Sequence, residues 1–171
     1  MNSRYETKIS RERSVLHIRG TPILSVMLGS MSATLVPVIA QTPLLPPFGL
    51  LIFLAWRVLR PEIWPLWIGV PLGLFDDLMS GQPIGSAVFL WTVVLLALDL
   101  EGQRHFWRDY WHGWFTAAAA LAFAIGGGWL IVRIAGQGGS IVQILPQIVY
   151  SIGLFPLIVR ICAALDRWRL P

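Results

Sequence analysis

The chain alternates between long runs of apolar residues and short polar segments that carry most of its charges. A helix that crosses a bilayer needs about 20 mostly apolar residues. Six runs approach this length, so the pattern predicts an all-α membrane protein, a compact bundle of six transmembrane helices. The first, fifth and sixth runs are long enough for a span, whereas the other three are short. The runs cover residues 22–40, 44–59, 62–76, 84–98, 113–135 and 141–165.

The short second and third runs allow two interpretations, either two full spans or one re-entrant hairpin whose tip lies inside the membrane. Arg57 near the end of the second run and Arg60 just after it lie where the two runs meet. A hairpin would hold both charges near mid-bilayer, at a cost of about 2.5–3.5 kcal/mol each. Two spans place them at the cytoplasmic surface and are therefore favoured. Pro61, Pro65 and Pro71 predict that the third span is bent.

The positions of the basic residues give the orientation, because cytoplasmic loops carry an excess of Lys and Arg. With six spans, every Lys and Arg except Arg133 falls on one side of the membrane. Arg133 lies one turn inside the outer end of the fifth run and can extend its side chain outward. The segments on the basic side are the N-terminal tail, residues 57–62, residues 99–112 and the C-terminal end, and the loops without basic residues are 41–47, 76–83 and 136–140.

This distribution places both termini in the cytoplasm. We predict a cytoplasmic basic tail over residues 1–21, a six-span bundle over residues 22–165 and a short cytoplasmic C-terminus over residues 166–171. The charge of the tail suits contact with anionic lipid or with a cytoplasmic partner, although an orientation signal alone would also explain it.

The composition agrees with a membrane protein. Apolar residues make up 56% of the chain and charged residues 13%, against about 25% charged residues in soluble domains. The net charge of +4 is explained by the topology, since no basic, aromatic-rich domain stands apart from the apolar runs. Cys162 is the single cysteine, which excludes an intramolecular disulfide and a cysteine cluster for zinc.

Candidate chemistry is sparse. The chain has no Walker-type loop and no HExxH or GxSxG motif. No histidine shares a mid-membrane helix face with a carboxylate, as a proton relay would require. We therefore expect no catalytic residue, no cofactor and no metal site.

Two sets of residues point to contacts rather than chemistry. Trp107, Trp111 and Trp114 recur at helical spacing and predict an amphipathic helix in the headgroup layer, as an aromatic belt or as a docking surface. Small residues allow helices to approach closely in lipid. The candidates for such packing are Gly29, Gly69, Gly73 and Ala122.

The most distinctive polar feature is the pair Asp76 and Asp77 at the outer end of the third run. The pair can cap or end a helix, although a carboxylate opposes the dipole at a helix C-terminus. The sharper hypothesis is that one aspartate is buried and paired with Arg133, the only basic group on that side. Gly81 and Gly85 follow and predict a tight turn into the fourth run.

The run Gly73-Leu74-x-x-Asp77-x-x-x-Gly81-x-x-x-Gly85 resembles the signature region of the MreD family, the bacterial rod shape-determining membrane proteins. Chain length, the prolines after the first run and the short runs that follow are also similar to that family. In this resemblance Asp77, Gly81 and Gly85 are the matched positions, and Asp76 is an additional carboxylate.

The resemblance implies a non-catalytic scaffold in the bacterial inner membrane, belonging to the elongation machinery that inserts peptidoglycan along the side wall. It implies binding to MreC, a single-span protein, within a wider complex with MreB, RodA and a class B penicillin-binding protein. It also implies a fold similar to the six-helix substrate-binding (S-component) subunits of energy-coupling-factor transporters.

Two rival interpretations stay open. The first is a substrate-capture subunit of a vitamin transporter, against which stand short outer loops with few hydrogen-bonding side chains. The second is a small enzyme acting on lipid through Asp76 and Asp77, for which the sequence offers no metal or nucleophile partner.

Overall fold

A computed structural model describes residues 20–32, 34, 45–104, 110–136 and 140–169. These residues are helical, without strands, and form six α-helices. The predicted basic tail lies almost entirely outside them. The helices are α1 (residues 20–32), α2 (Phe48–Leu59), α3 (Gly69–Ser80), α4 (Ser86–Arg104), α5 (Tyr110–Ile134) and α6 (Leu145–Arg169).

Among the described residues, two stretches are long and apolar enough to cross a membrane. They are Gly113–Ile134 in α5 and Ile141–Trp168, which includes α6 and the 3₁₀ turn Ile141–Ile144 before it. Helix α2 is apolar as well, but it has only 12 residues. Its length of about 18 Å, at 1.5 Å per residue, is well below the hydrocarbon thickness of about 30 Å.

The third run folds differently from its prediction. Instead of one bent helix over residues 62–76, the chain forms two 3₁₀ turns, Pro61–Ile63 and Leu66–Ile68, and only then α3. Pro65 lacks the N–H that a continuous helix would need and keeps an extended backbone between the turns. At the other end α3 continues past the aspartates to Ser80.

Helix α2 lies at the centre of the bundle. Five of its side chains are completely buried: Leu51, Phe53, Leu54, Ala55 and Trp56. The helix packs mainly on α6 and α5, and α1 covers it from another side, where the Trp56 indole N–H donates to Ser25 Oγ over 2.9 Å. Helix α3 packs chiefly on α4, and α4 on α5.

Aromatic rings fill the space between α2, the α2–α3 connection and α4. The Phe53 ring lies 5.4 Å from the Trp64 ring and 4.8 Å from the Trp91 ring, between centroids. The Trp64 indole N–H also donates to the Phe53 carbonyl oxygen over 3.1 Å. Such contacts hold the irregular segment between α2 and α3 against the core without a continuous helix.

Candidate functional site

Asp77 is the centre of the turn between α3 and α4. Its side chain is buried, with 1% of its surface exposed. Three donors at the start of α4 surround the carboxylate: the Gly85 N–H at 2.8 Å from Oδ2, and the Ser86 hydroxyl and the Ala87 N–H, each at 2.8 Å from Oδ1. A carboxylate at this place satisfies amides that have no partner within the helix and faces the positive end of the α4 dipole.

This geometry removes the objection raised by the sequence. A carboxylate near the C-terminus of its own helix is unfavourable, but Asp77 faces the N-terminus of the next helix, where a negative charge is stabilising. The cap comes from a residue nine positions before Ser86, so local capping rules do not find it.

The two glycines have the backbone that the turn requires. Gly81 has φ of +69° and ends α3, with its N–H donating to the Asp77 carbonyl oxygen over 3.1 Å. Gly85 has φ of +96° and precedes the first residue of α4. Residues with a β-carbon rarely adopt such values, so glycine at both positions gives the chain the reversal between α3 and α4.

Asp76 has a different partner. Its Oδ1 accepts a hydrogen bond of 2.6 Å from the Ser30 hydroxyl of α1. Gly49 of α2 lies against this contact, and a β-carbon there would collide with Ser30 and with Asp76 Oδ1. The adjacent aspartates therefore join α3 to different neighbours, Asp76 to α1 and α2, and Asp77 to α4.

The expected ion pair between an aspartate and Arg133 does not form. The Arg133 side chain is exposed, and its guanidinium lies 5.1 Å from the centroid of the Trp129 ring. Both oxygens of Asp77 already accept bonds from α4, and Asp76 faces α1. The hypothesis from the sequence was wrong because it gave the buried charge a cationic partner where backbone amides suffice.

Small residues mark the closest helix contacts. A β-carbon on Gly73 would lie 2.7 Å from the Val88 Cα and N atoms of α4, and one on Gly69 would lie 3.1 Å from Thr92 Oγ1. A β-carbon on Gly29 would lie 3.0 Å from the Phe48 carbonyl oxygen of α2. Ala122 is half-buried in α5.

The predicted aromatic belt is described only in part. Trp107 lies outside the described residues. Trp111 belongs to α5, but its side chain is outside the described part of the structure. Trp114 is half-buried, and its ring meets the Phe115 ring edge-on at 5.1 Å between centroids.

Sequence reasoning missed two ion pairs at the end of the bundle opposite to the α3–α4 turn. Arg57 of α2 is buried and pairs with Asp99 of α4, while its other nitrogen donates to the Pro61 carbonyl oxygen. Arg60 pairs with Asp166 of α6 at 3.1 Å. The available signal was the presence of Asp99 and Asp166 near the ends of apolar runs that also have arginines on the same side.

The part of the chain that the structure describes contains no group of three or more His, Cys, Asp or Glu side chains that could hold a metal ion. Cys162 is a buried free thiol.

Comparison of the chain with protein-family models, with curated proteins and with solved structures finds no match in any of the three.

Proposed function

We propose that this chain is an inner-membrane protein with six spans and cytoplasmic termini. We further propose that it is a non-catalytic scaffold of the MreD type in the machinery for lateral peptidoglycan synthesis. In this role it binds an MreC-like single-span protein and so links that protein to the wall-synthesis complex that maintains rod shape.

Exposed apolar side chains support the membrane placement. Large apolar residues are exposed on every described helix except the central α2, including Leu28 of α1, Leu78 of α3, Phe89 of α4, Ile134 of α5 and Val149 of α6. Water would be a poor solvent for so much apolar surface, whereas lipid is a good one. The two ion pairs and the contacts of Asp76 and Asp77, by comparison, lie between helices.

The two ion pairs support two spans over a re-entrant hairpin. Arg60 at the α2–α3 connection reaches Asp166, which lies near the C-terminal end of α6. A connection in the middle of the bilayer would instead meet the middle of α6. Paired with carboxylates, Arg57 and Arg60 also avoid most of the cost of an isolated charge. The short α2 and α3 are then accommodated by a locally thinner bilayer.

One observation supports a scaffold more than an enzyme. Both aspartates of the segment that carries the MreD resemblance, Gly73 to Gly85, bind neighbouring helices. Asp77 accepts three bonds from α4, and Asp76 accepts one from Ser30. A carboxylate held in this way fixes the shape of a surface and is poorly placed to transfer a proton to a substrate.

Copurification is the direct test. An affinity-tagged chain, extracted in mild detergent from its own host, should retain a single-span MreC-like protein, and depletion of the chain should turn rod-shaped cells round. Complementation of the depleted cells with variants distinguishes a scaffold from an enzyme that acts through Asp76. An Asp76→Asn variant keeps an acceptor for Ser30 and should restore rod shape.

Rod shape that survives complete loss of the chain would overturn the proposal. So would an Asp76→Asn variant that is stably inserted, still binds the partner and yet fails to restore shape, since that result points to chemistry at the carboxylate. The transporter alternative has its own readout: a vitamin that raises the unfolding temperature of the purified chain would support substrate capture instead.

A further inference from the structure

The arginines fall into two groups by their partners within the described part of the chain. Arg57 and Arg60 each pair with an aspartate, and Arg133 lies over the Trp129 ring. Arg160 and Arg167 of α6 are exposed and form no ion pair with any described carboxylate. Within the described structure, no carboxylate therefore neutralises these two positive charges.

Both free arginines lie on one stripe of α6. Seven residues correspond to almost two turns, so Arg160 and Arg167 share a face and are about 10 Å apart along the axis. Leu157 and Ile161 are exposed beside Arg160, and Trp168 is exposed beside Arg167. The stripe thus combines two guanidinium groups with apolar side chains next to Arg160 and an aromatic side chain next to Arg167.

Arg160 lies deeper than an arginine at a membrane surface normally does. Asp166, paired with Arg60, marks the cytoplasmic end of the bundle, and Arg160 precedes it by six residues, or about 9 Å. Side chains of a helix lean toward its N-terminus, which in α6 is the direction of the bilayer centre. A bare guanidinium at that depth is costly, and an anionic group drawn to Arg160 would lower this cost.

We infer that the Arg160–Arg167 stripe is a binding site for the phosphate of an anionic phospholipid in the inner leaflet. Arg160 binds the phosphate below the headgroup plane, because a guanidinium donates to phosphate oxygens through two parallel N–H groups. Arg167 adds a second charge at the surface, and Trp168 lies at the headgroup level that aromatic residues favour. This inference rests on the proposed membrane placement, but not on the proposed partner.

The test compares lipid retention in nanodiscs of dioleoyl phosphatidylcholine with and without dioleoyl phosphatidylglycerol, followed by native mass spectrometry of the full chain. The wild type should retain phosphatidylglycerol. Arg160→Gln should retain about fivefold less, which corresponds to about 1 kcal/mol for one basic residue near anionic lipid. Arg160→Lys should recover part of the loss, since it restores the charge without the two parallel N–H groups.

Arg133→Gln is the matched control, because it removes an exposed arginine at the other end of the bundle. Equal retention by Arg160→Gln and wild type, or an equal loss in Arg133→Gln, would overturn the lipid site. Inorganic phosphate that competes fully with phosphatidylglycerol would identify a free-anion site instead and would also overturn it.

A partner helix with an acidic residue is the other class of ligand for Arg160. If Arg160→Gln retained lipid but no longer copurified with the single-span protein, the stripe would be a partner contact, and the lipid site would be refuted. If lipid retention fell while copurification persisted, both the lipid site and the scaffold would stand. If the wild-type chain itself failed to copurify with the single-span protein, that result would count against the scaffold but not against the lipid site.

Discussion

Asp77 connects two helices through a single carboxylate. It belongs to α3, yet its acceptor atoms complete the N-terminus of α4, where Gly85, Ser86 and Ala87 supply the donors. Each buried donor that loses its acceptor costs about 1–3 kcal/mol. The stability of the turn therefore depends on this side chain more than on any other polar residue near it.

Replacement of Asp77 by Asn is expected to lower the free energy of unfolding by about 1–3 kcal/mol. Asparagine has one acceptor oxygen, and its amide group would face the backbone N–H that the second carboxylate oxygen binds. The charge opposite the α4 dipole would also be lost. The measurement is unfolding of the purified protein in detergent by denaturant, followed by circular dichroism.

Asp76→Asn is the control for this change, because the amide oxygen can still accept from Ser30. It is expected to cost less than about 1 kcal/mol. Similar losses for the two variants would show that the cap of α4 is not the source of the stability.

Arg57 lies deeper inside the bundle than its place in the sequence predicts. From the sequence, an arginine beside an apolar run belongs at the membrane surface. In the structure Arg57 is buried, and its charge is matched by Asp99, whose side chain is 40% exposed. The ion pair thus lets a charge lie inside the bundle, at the end opposite to the α3–α4 turn.

At the scale of elements, α3 and α4 bring their backbones closer together than any other pair of helices with a described glycine contact. Gly73 lies directly on the Val88 backbone, and Gly69 lies one turn away against Thr92. Close approach of two backbones over glycine increases van der Waals contact, which is a main source of helix association in lipid.

Gly73→Ala should separate these helices and cost about 1–3 kcal/mol, because the new β-carbon would meet backbone atoms that cannot move aside alone. Gly153→Ala is the matched control, since no atom lies within 4 Å of a β-carbon at that helical position. The control should be neutral or stabilising by up to about 1 kcal/mol. Unfolding of both variants in one detergent checks the difference, and equal stability of the two would contradict the close contact.

The sequence predicted the elements unevenly. The apolar runs located α5 and α6 to within a few residues. An apolar run of this length has few ways to fold other than as one long helix. The third run was harder, since a run of apolar residues with three prolines is compatible with a bent helix and with turns. Contacts of Trp64 with Phe53 and the position of Pro65 fix the turns in the structure.

At the scale of the molecule, the fold brings together the same helix ends that the distribution of basic residues places on one side. The α2–α3 connection meets the C-terminal ends of α4 and α6 through Arg57 and Arg60. The α3–α4 turn, which has no basic residue, lies at the opposite end. The proposed topology places the first end in the cytoplasm.

Labelling of single cysteines should test this topology in a Cys162→Ser background. A membrane-impermeant maleimide added to spheroplasts should label Gln82→Cys, in the exposed turn after α3. Gly102→Cys, exposed near the end of α4, should react only after the membrane is permeabilised. The reverse pattern would invert the proposed orientation, and labelling of both from outside would refute the number of spans.

The sequence by itself determined that the protein is helical and apolar, and it set the distribution of charge along the chain. These properties follow from run lengths and composition, which need no knowledge of neighbours. It also singled out Asp77, Gly81 and Gly85. The tertiary structure alone decided their relationships: that Asp77 caps α4, that Asp76 binds Ser30, and that Arg133 binds neither. Such pairings depend on which helix faces reach contact distance, and residues far apart in the chain give no periodic signal of that.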